Sequence, residues 1–345
     1  MSITIKDIAE KTSLANMTVS QILRGEGTVR PETRKRVLEM AKKLGYHPNN
    51  AARAMRSGRF NAVALLLGYR QGWMEIPINV TDELSSCFSG RSMNLVMHRK
   101  SVEEIIESGL KSGILKEIMV DGVIIACWDR LAKLRSNIVE EPSVPSVWLN
   151  VDFKKNCVFS DDFEAGRIVT ETLLRMGHRR IAYVDYSATP HYSSADRMRG
   201  YESAMKSAGL PPRTIRKSTE HLKRIDSAYG LLSGSDRPTA VVAYSPETAL
   251  PLIFCACSRL SLNVPQDLSV ISFESYVETI MGVGLSSIIF PEREIGAEAG
   301  KMLLARIDQP GVSMPSVCVP FKNIEGGTCA TPPQIKLSGK VRVRG

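Results

Sequence analysis

DIAEKTSLANMTVSQILRG, from Asp7 to Gly25, reads as two short helices joined by a tight turn. Thr4 stands three residues before Asp7, so hydroxyl and carboxylate can cap the first helix start reciprocally, and its inward face is Ile5, Ile8 and Ala9. In the second helix, expected over about Asn16 to Leu23, the apolar Val19, Ile22 and Leu23 recur at i, i+3 and i+4 and bury. Asn16, Met17, Ser20, Gln21 and Arg24 then point outward. Pro31 suits the first turn of a third helix, which continues through Val37, Leu38, Ala41 and Leu44 and stops at Gly45. Three helices make a small domain, and a docked second helix with such a face offers its side chains to base edges. A plain helical bundle with a solvated polar face fits the same spacing.

Charge narrows the choice. Residues 1–60 carry 12 Lys and Arg against 5 Asp and Glu, a net of +7, whereas residues 61–330 carry 29 against 31, a net of −2. The last fifteen residues add four basic groups and no acidic one. The positive charge thus sits at the two ends, as expected when one module neutralises phosphates and another does something else. The tail, residues 334–345, reads as a basic, disordered end.

The run TIKDIAEKTSLANMTVSQILRG, followed by VRPETRKRVLEMAKKLGYHPNNAARAMRSGR, resembles the N-terminal domain of the LacI/GalR family of transcriptional repressors. The resemblance implies a homodimer whose recognition helices enter two half-sites of double-stranded operator DNA, with two hinge helices in the minor groove between them. It places Asn16, Met17 and Gln21 at base-reading positions and Thr18 and Ser20 at phosphate or helix-packing positions. Thr4, at the start of the first helix, and Asn49 and Ala52, in the hinge, join the expected DNA contacts. Met55 takes the place of the hinge Leu that partly unstacks the central base step.

Several positions depart from that pattern. The turn Gly is Ser13, so the backbone there either avoids φ > 0 or tolerates strain. The usual Ser cap is Ala15. A frequent Arg of the recognition helix is Gln21; Arg pairs with guanine O6 and N7, Gln with adenine N6 and N7, so base preference changes. Arg24 replaces a frequent Asn and adds a phosphate contact. The hinge, Pro48 to Gly58, is Ala- and Arg-rich, a good helix former yet too short to be stable alone, so it should order on DNA; a flexible basic linker is the other reading.

From Asn61 the chain alternates apolar runs with amphipathic stretches. Strands are expected over 62–67, 94–98, 120–127, 144–149, 181–184, 240–244, 268–273 and 288–290. Helices are expected near 101–114, 164–176, 198–208, 247–260 and 292–307. This alternation means α/β architecture with parallel sheets, and the stretch is generous for one sheet, so two doubly wound lobes are expected. The phrases VFSDDFEAGRIVTETLLRMGHRRIAYV, RMRGYESAMKSAGL and NVPQDLSVISFE resemble the same family's two-lobed, periplasmic-binding-protein-like effector module. That implies a small-molecule effector, a sugar or related metabolite, in the cleft between lobes. Arg197, Ser245 and Glu274 are the implied contacts. Trp73 and Trp128 follow expected strands and either wall the cleft or pack in the core. The expected divisions are 1–48 (helix-turn-helix), 49–60 (hinge), 61–333 (effector and dimer module) and 334–345 (tail).

No metal-ligand spacing, phosphate loop, dinucleotide fingerprint or nucleophile elbow occurs, so neither enzyme chemistry nor a cofactor is expected. The seven cysteines read as free thiols in a reducing compartment. With no signal peptide or long apolar run, a cytoplasmic protein without a membrane partner is expected. The competing reading is a soluble sugar-binding or sugar-modifying protein with a basic helical appendage.

Overall fold

Helix α1 (Ile5–Thr12) begins where Thr4 and Asp7 cap each other. The Asp7 amide donates to Thr4 Oγ1 at 3.4 Å, and the Asp7 carboxylate accepts from the Thr4 amide at 2.7 Å. That amide is the main reason the Asp7 carboxyl titrates below its ordinary range. The helix ends at Ser13, which takes the left-handed conformation (φ 53°, ψ 41°) and donates its N–H to the closing turn. The turn therefore keeps the geometry that suits glycine and places a side chain in it. Ser13→Gly should relieve about 1 kcal/mol of strain, partly offset by the freer unfolded chain. A small gain in a urea melt is the expected result; a loss would mean the serine hydroxyl stabilises the turn.

Helices α2 (Asn16–Leu23) and α3 (Pro31–Leu44) complete the small domain, with Gly45 left-handed at the end of α3 (φ 66°). Its core is Ile8, Ala9, Val19, Ile22, Val37 and Ala41. Leu38, expected inside, is 47% exposed instead, because it follows Val37 on the turn facing away. The computed structural model describes residues 3–23, 25–46, 58–69, 76–101, 119–126, 144–187, 191–217 and 220–333. The chain divides into two compact units, Met1–Phe60 and Asn61–Gly345.

The second unit holds two six-stranded sheets. In the first lobe β1 (Ala62–Tyr69), β2 (Asn94–Ser101), β3 (Gly122–Ala126), β4 (Ser146–Leu149), β5 (Cys157–Ser160) and β13 (Val317–Val319) are all parallel, in the order β13-β5-β4-β3-β1-β2. In the second, β6 (Ile181–Asp185), β7 (Arg213–Arg216), β8 (Ala240–Ala243), β9 (Ser269–Glu274), β12 (Ser286–Ile289) and β14 (Ile324–Glu325) lie in the order β14-β12-β9-β8-β6-β7; β14 is antiparallel. A short hairpin pairs β10 (Thr279–Ile280) with β11 (Val283–Gly284).

Central strands such as β3 and β8 are buried along their whole length, as parallel strands covered on both faces must be. Helices α4 (Ile78–Ser89) and α9 (Glu292–Asp308) cover one face of the first sheet through Leu65, Phe88, Ile124 and Leu303. On the second sheet, α5 (Asp162–Arg175) and α6 (Tyr192–Ser207) cover one face. The other is covered by α7 (His221–Leu232) and α8 (Pro246–Phe254), the latter extended by a π turn at Cys255–Arg259. The chain passes between lobes three times, from β5 to α5, from β12 to α9 and from β13 to β14.

All eight expected strands are present with shifted ends, and the helix expected at 198–208 starts earlier, at Tyr192. Helix α4 escaped the sequence reading because its buried Val80, Leu84 and Phe88 are thinly spread among polar residues; β5, β7, α7, β13 and β14 escaped because they are short or weakly patterned. Ser101, where a helix is expected to begin, ends β2, and the rest of that helix, 102–114, lies outside the described residues, as do most of the hinge and the basic tail. The segment after Pro320 packs firmly: Thr328 Oγ1 donates to Val270 O at 2.6 Å, and the Val270 amide donates to Thr328 O at 2.8 Å. Among the described residues no helix is long and apolar enough to cross a membrane.

Candidate functional site

Two places gather the expected site residues. The first is α2. Val19 and Ile22 anchor it, leaving Asn16 exposed and Met17 74% exposed, while Thr18, Ser20 and Gln21 are half-buried. Gln21 reaches back over the turn that follows: its carbonyl accepts the Glu26 amide at 2.9 Å and its amide group lies against Gly27. The turn thus holds the Gln21 backbone and packs against its side chain. Thr4 is bonded to Asp7 and fixes the start of α1. Arg24, Asn49, Ala52 and Met55 lie outside the described residues.

The second place is the carboxyl edge of the second-lobe sheet. Ser245 stands just before α8 and just after β8, its side chain making no capping bond, and Glu274 ends β9. Between them Arg197 lies flat, with Cζ 4.4 Å from the Phe273 ring centre and 5.0 Å from that of Tyr244. Its Nε donates to Asp162 Oδ1 at 2.6 Å and its Nη1 to Tyr244 O at 3.0 Å. Arg197 is therefore not a surface arginine, and two of its donors are engaged by the protein itself. Coulombic attraction from Asp162 keeps it charged in spite of burial.

Asp162 is the residue that sequence reasoning passed over. It is 1% exposed, and its Oδ2 accepts from Ser160 Oγ at 2.6 Å. The signal was the Asp161–Asp162 doublet: one aspartate suffices to cap α5, and Asp161 does so by accepting the Glu164 amide at 2.9 Å. The second was left over for another purpose.

The two lobes meet across this edge. Asn150, just past β4 in the first lobe, accepts at its carbonyl from His191 Nε2 (3.0 Å) and at Oδ1 from Tyr192 OH (2.9 Å). A carbonyl only accepts, so the His191 proton sits on Nε2, and Nδ1 accepts from Ser193, 2.7 Å away at Oγ. Ser193 Oγ also lies 3.0 Å from Tyr244 OH. Burial lowers the His191 pKa and raises those of Tyr192 and Tyr244, which keeps all three neutral. Glu274 is raised chiefly by burial, with Glu247 and Glu278 adding to it; its Oε1 accepts the Ser275 amide at 2.9 Å. The crevice wall is therefore polar and aromatic, able to bind and orient a small hydroxylated molecule. Trp73 and Trp128 lie outside the described residues. Among the described residues no group of His, Cys, Asp and Glu could hold a metal ion.

Residues 4–49 match the model of bacterial regulatory proteins of the lacI family, and residues 170–329 match the periplasmic binding protein-like domain. The chain is 27% identical over 338 residues to catabolite control protein A of Priestia megaterium, which covers 93% of this chain and 98% of that protein. It is 25% identical over 315 residues to the HTH-type transcriptional repressor PurR of Vibrio vulnificus (strain CMCP6), covering 88% and 92%. In structure it is similar to the lac repressor dimer bound to operator and the anti-inducer ONPF, with a TM-score of 0.78 at 20% identity, covering 96% of this chain and 100% of that one. The first match contains α2, and the second contains Arg197, Ser245 and Glu274. The chain thus joins a DNA-binding domain of the lacI family of bacterial regulatory proteins to a periplasmic binding protein-like domain.

Proposed function

We propose that this DNA-binding regulator is a repressor that grips a pseudo-palindromic operator as a homodimer and answers to a small-molecule effector in the inter-lobe crevice. The observation that carries it is the α2 face, where Asn16 and Met17 are exposed and Gln21 half-buried on a helix anchored by Val19 and Ile22. The PurR relative is named a repressor, and the lac repressor neighbour is a dimer on operator, which supports the same reading here. Residues 1–48 read the major groove, 49–60 form the hinge with Met55 as its wedge, and 61–333 bind effector and partner. The work is done in the cytoplasm. Exposed apolar side chains supply a face for the partner copy: Val96 and Met97 on β2, Leu250 and Phe254 on α8, Met281 and Val283 on the hairpin. Effector binding changes lobe closure through contacts such as Asn150 with His191 and Tyr192, and closure sets the spacing of the two hinges.

Selection of binding sites from a random duplex library by the full-length protein tests this. Two-fold-related half-sites are expected, and Gln21→Arg should shift one position in each half-site toward guanine. Recovery of no preferred sequence would sink the repressor reading, and an unchanged profile for Gln21→Arg would remove Gln21 from base recognition.

A further inference from the structure

Glu292 opens α9 directly after the second passage between the lobes, and it is 4% exposed. Its Oε2 accepts from Asn79 Nδ2 at 2.7 Å, while its Oε1 has no hydrogen-bond partner. Asn79, the second residue of α4, is half-buried, and its neighbour Ile78 is 69% exposed. Both helix starts lie at the carboxyl edge of the first sheet. Helix α4 follows β1, and α9 enters from Phe290, whose amide donates to Glu274 O at 2.8 Å on the carboxyl edge of the second sheet. The pair Glu292–Asn79 thus lies at the first-sheet edge that borders the crevice between lobes.

A first-turn glutamate is ordinarily explained by the helix dipole, but that role requires no burial. Glu294 already fills it in α9, half-buried and paired with Lys322. A buried carboxylate with one oxygen unpartnered is destabilising unless another state of the protein supplies the missing donor. The charge of Arg197 is already matched by Asp162, so it offers an anionic ligand no unpaired cation, whereas the Glu292 carboxyl keeps an oxygen free to accept.

We propose that Glu292, held in place by Asn79, is a specificity-determining acceptor for the effector. The ligand it selects is a polyhydroxylated or amino-polyhydroxylated compound without a phosphate or carboxylate. The proposal rests on the reading of the crevice as an effector site. A hydroxyl or ammonium of the ligand completes the Oε1 shell, Ile78 offers an apolar surface beside it, and an anionic ligand meets an acceptor oxygen while the Arg197 charge is already matched by Asp162.

The test uses the full-length protein and a panel of neutral sugars, amino sugars, sugar phosphates and sugar acids, screened by thermal shift and followed by calorimetry. The strongest binder is expected to lack an anionic group, and Glu292→Gln should raise its Kd at least about tenfold. The unliganded melting temperature of that variant should stay level or rise, because the orphaned charge is gone. Asn79→Ser should weaken the same ligand in the same direction. A Kd within about twofold of wild type for Glu292→Gln, with Glu274→Gln weakening the ligand, overturns the role of Glu292 and leaves the effector site standing. A fall in unliganded melting temperature with unchanged Kd assigns Glu292 to holding α9 and overturns it too. Tightest binding by a sugar phosphate or acid overturns the ligand class, and binding by no probe overturns the effector reading along with the proposal.

Discussion

Arg197→Leu should destabilise the second unit by about 3–5 kcal/mol, the loss expected when one partner of a buried ion pair is removed. The side chain is 12% exposed and its partner Asp162 1% exposed, so the substitution strands a carboxylate where water cannot reach it. It also removes the donor to Tyr244 O and the cation stacked against the Phe273 and Tyr244 rings. Leucine recovers part of the packing and none of the polar contacts. Urea unfolding measures the loss. Asp162→Asn in the Arg197→Leu background should recover a fraction of it, because an amide tolerates burial beside Ser160 Oγ better than a bare charge does. A loss below about 1 kcal/mol would show that Asp162 finds water or another donor, and that the pair does not organise the crevice.

The same pair shows where sequence reading succeeds and where it stops. Helix α2 was legible because its evidence is local: Val19, Ile22 and Leu23 fall on one face within a single turn and a half. Arg197, Ser245 and Glu274 were legible because each stands at a recognisable phrase next to a strand or helix end. Their partners were not. Asp162 lies 35 positions from Arg197, Asn150 lies 41 from His191, and Asn79 lies 213 from Glu292. The first meeting exists because α5 and α6 pack together, the other two because the chain passes between lobes, and residues flanking a passage look like ordinary caps and turns when read along the chain. Burial does the rest. His191 and Tyr192 sit at a helix start where polar residues are commonplace, and only their packing against Asn150 makes them contacts between lobes. The left-handed Ser13 is the reverse case: the turn was legible, but whether serine would avoid or accept the strain depended on backbone geometry alone.

The close approach of α5 and α6 makes Gly200 the other position where a small change has a large effect. A Cβ built on Gly200 would lie 2.0 Å from Phe163 O and 2.7 Å from Arg167 N; one built on Gly166 would lie 2.1 Å from Arg197 O. Each glycine faces the backbone of the opposite helix, and backbone cannot swing aside as the end of a side chain can. Even one methyl group must therefore push the helices apart, toward the 3.4 Å at which ordinary contact begins. Asp162 rides on α5 and Arg197 on α6, so that separation also stretches their 2.6 Å bond. Gly200→Ala should cost at least about 3 kcal/mol despite the higher helix propensity of alanine, and Gly200→Leu should leave the second unit unable to fold. Gly230→Ala in α7 is the matched control: nothing lies within 4 Å of its added Cβ, so propensity alone acts and a gain of about 0.5–1 kcal/mol is expected. Melting curves of the two alanine variants should diverge in sign. If both rise together, α5 and α6 have room between them, and the crevice wall does not depend on the glycine contact.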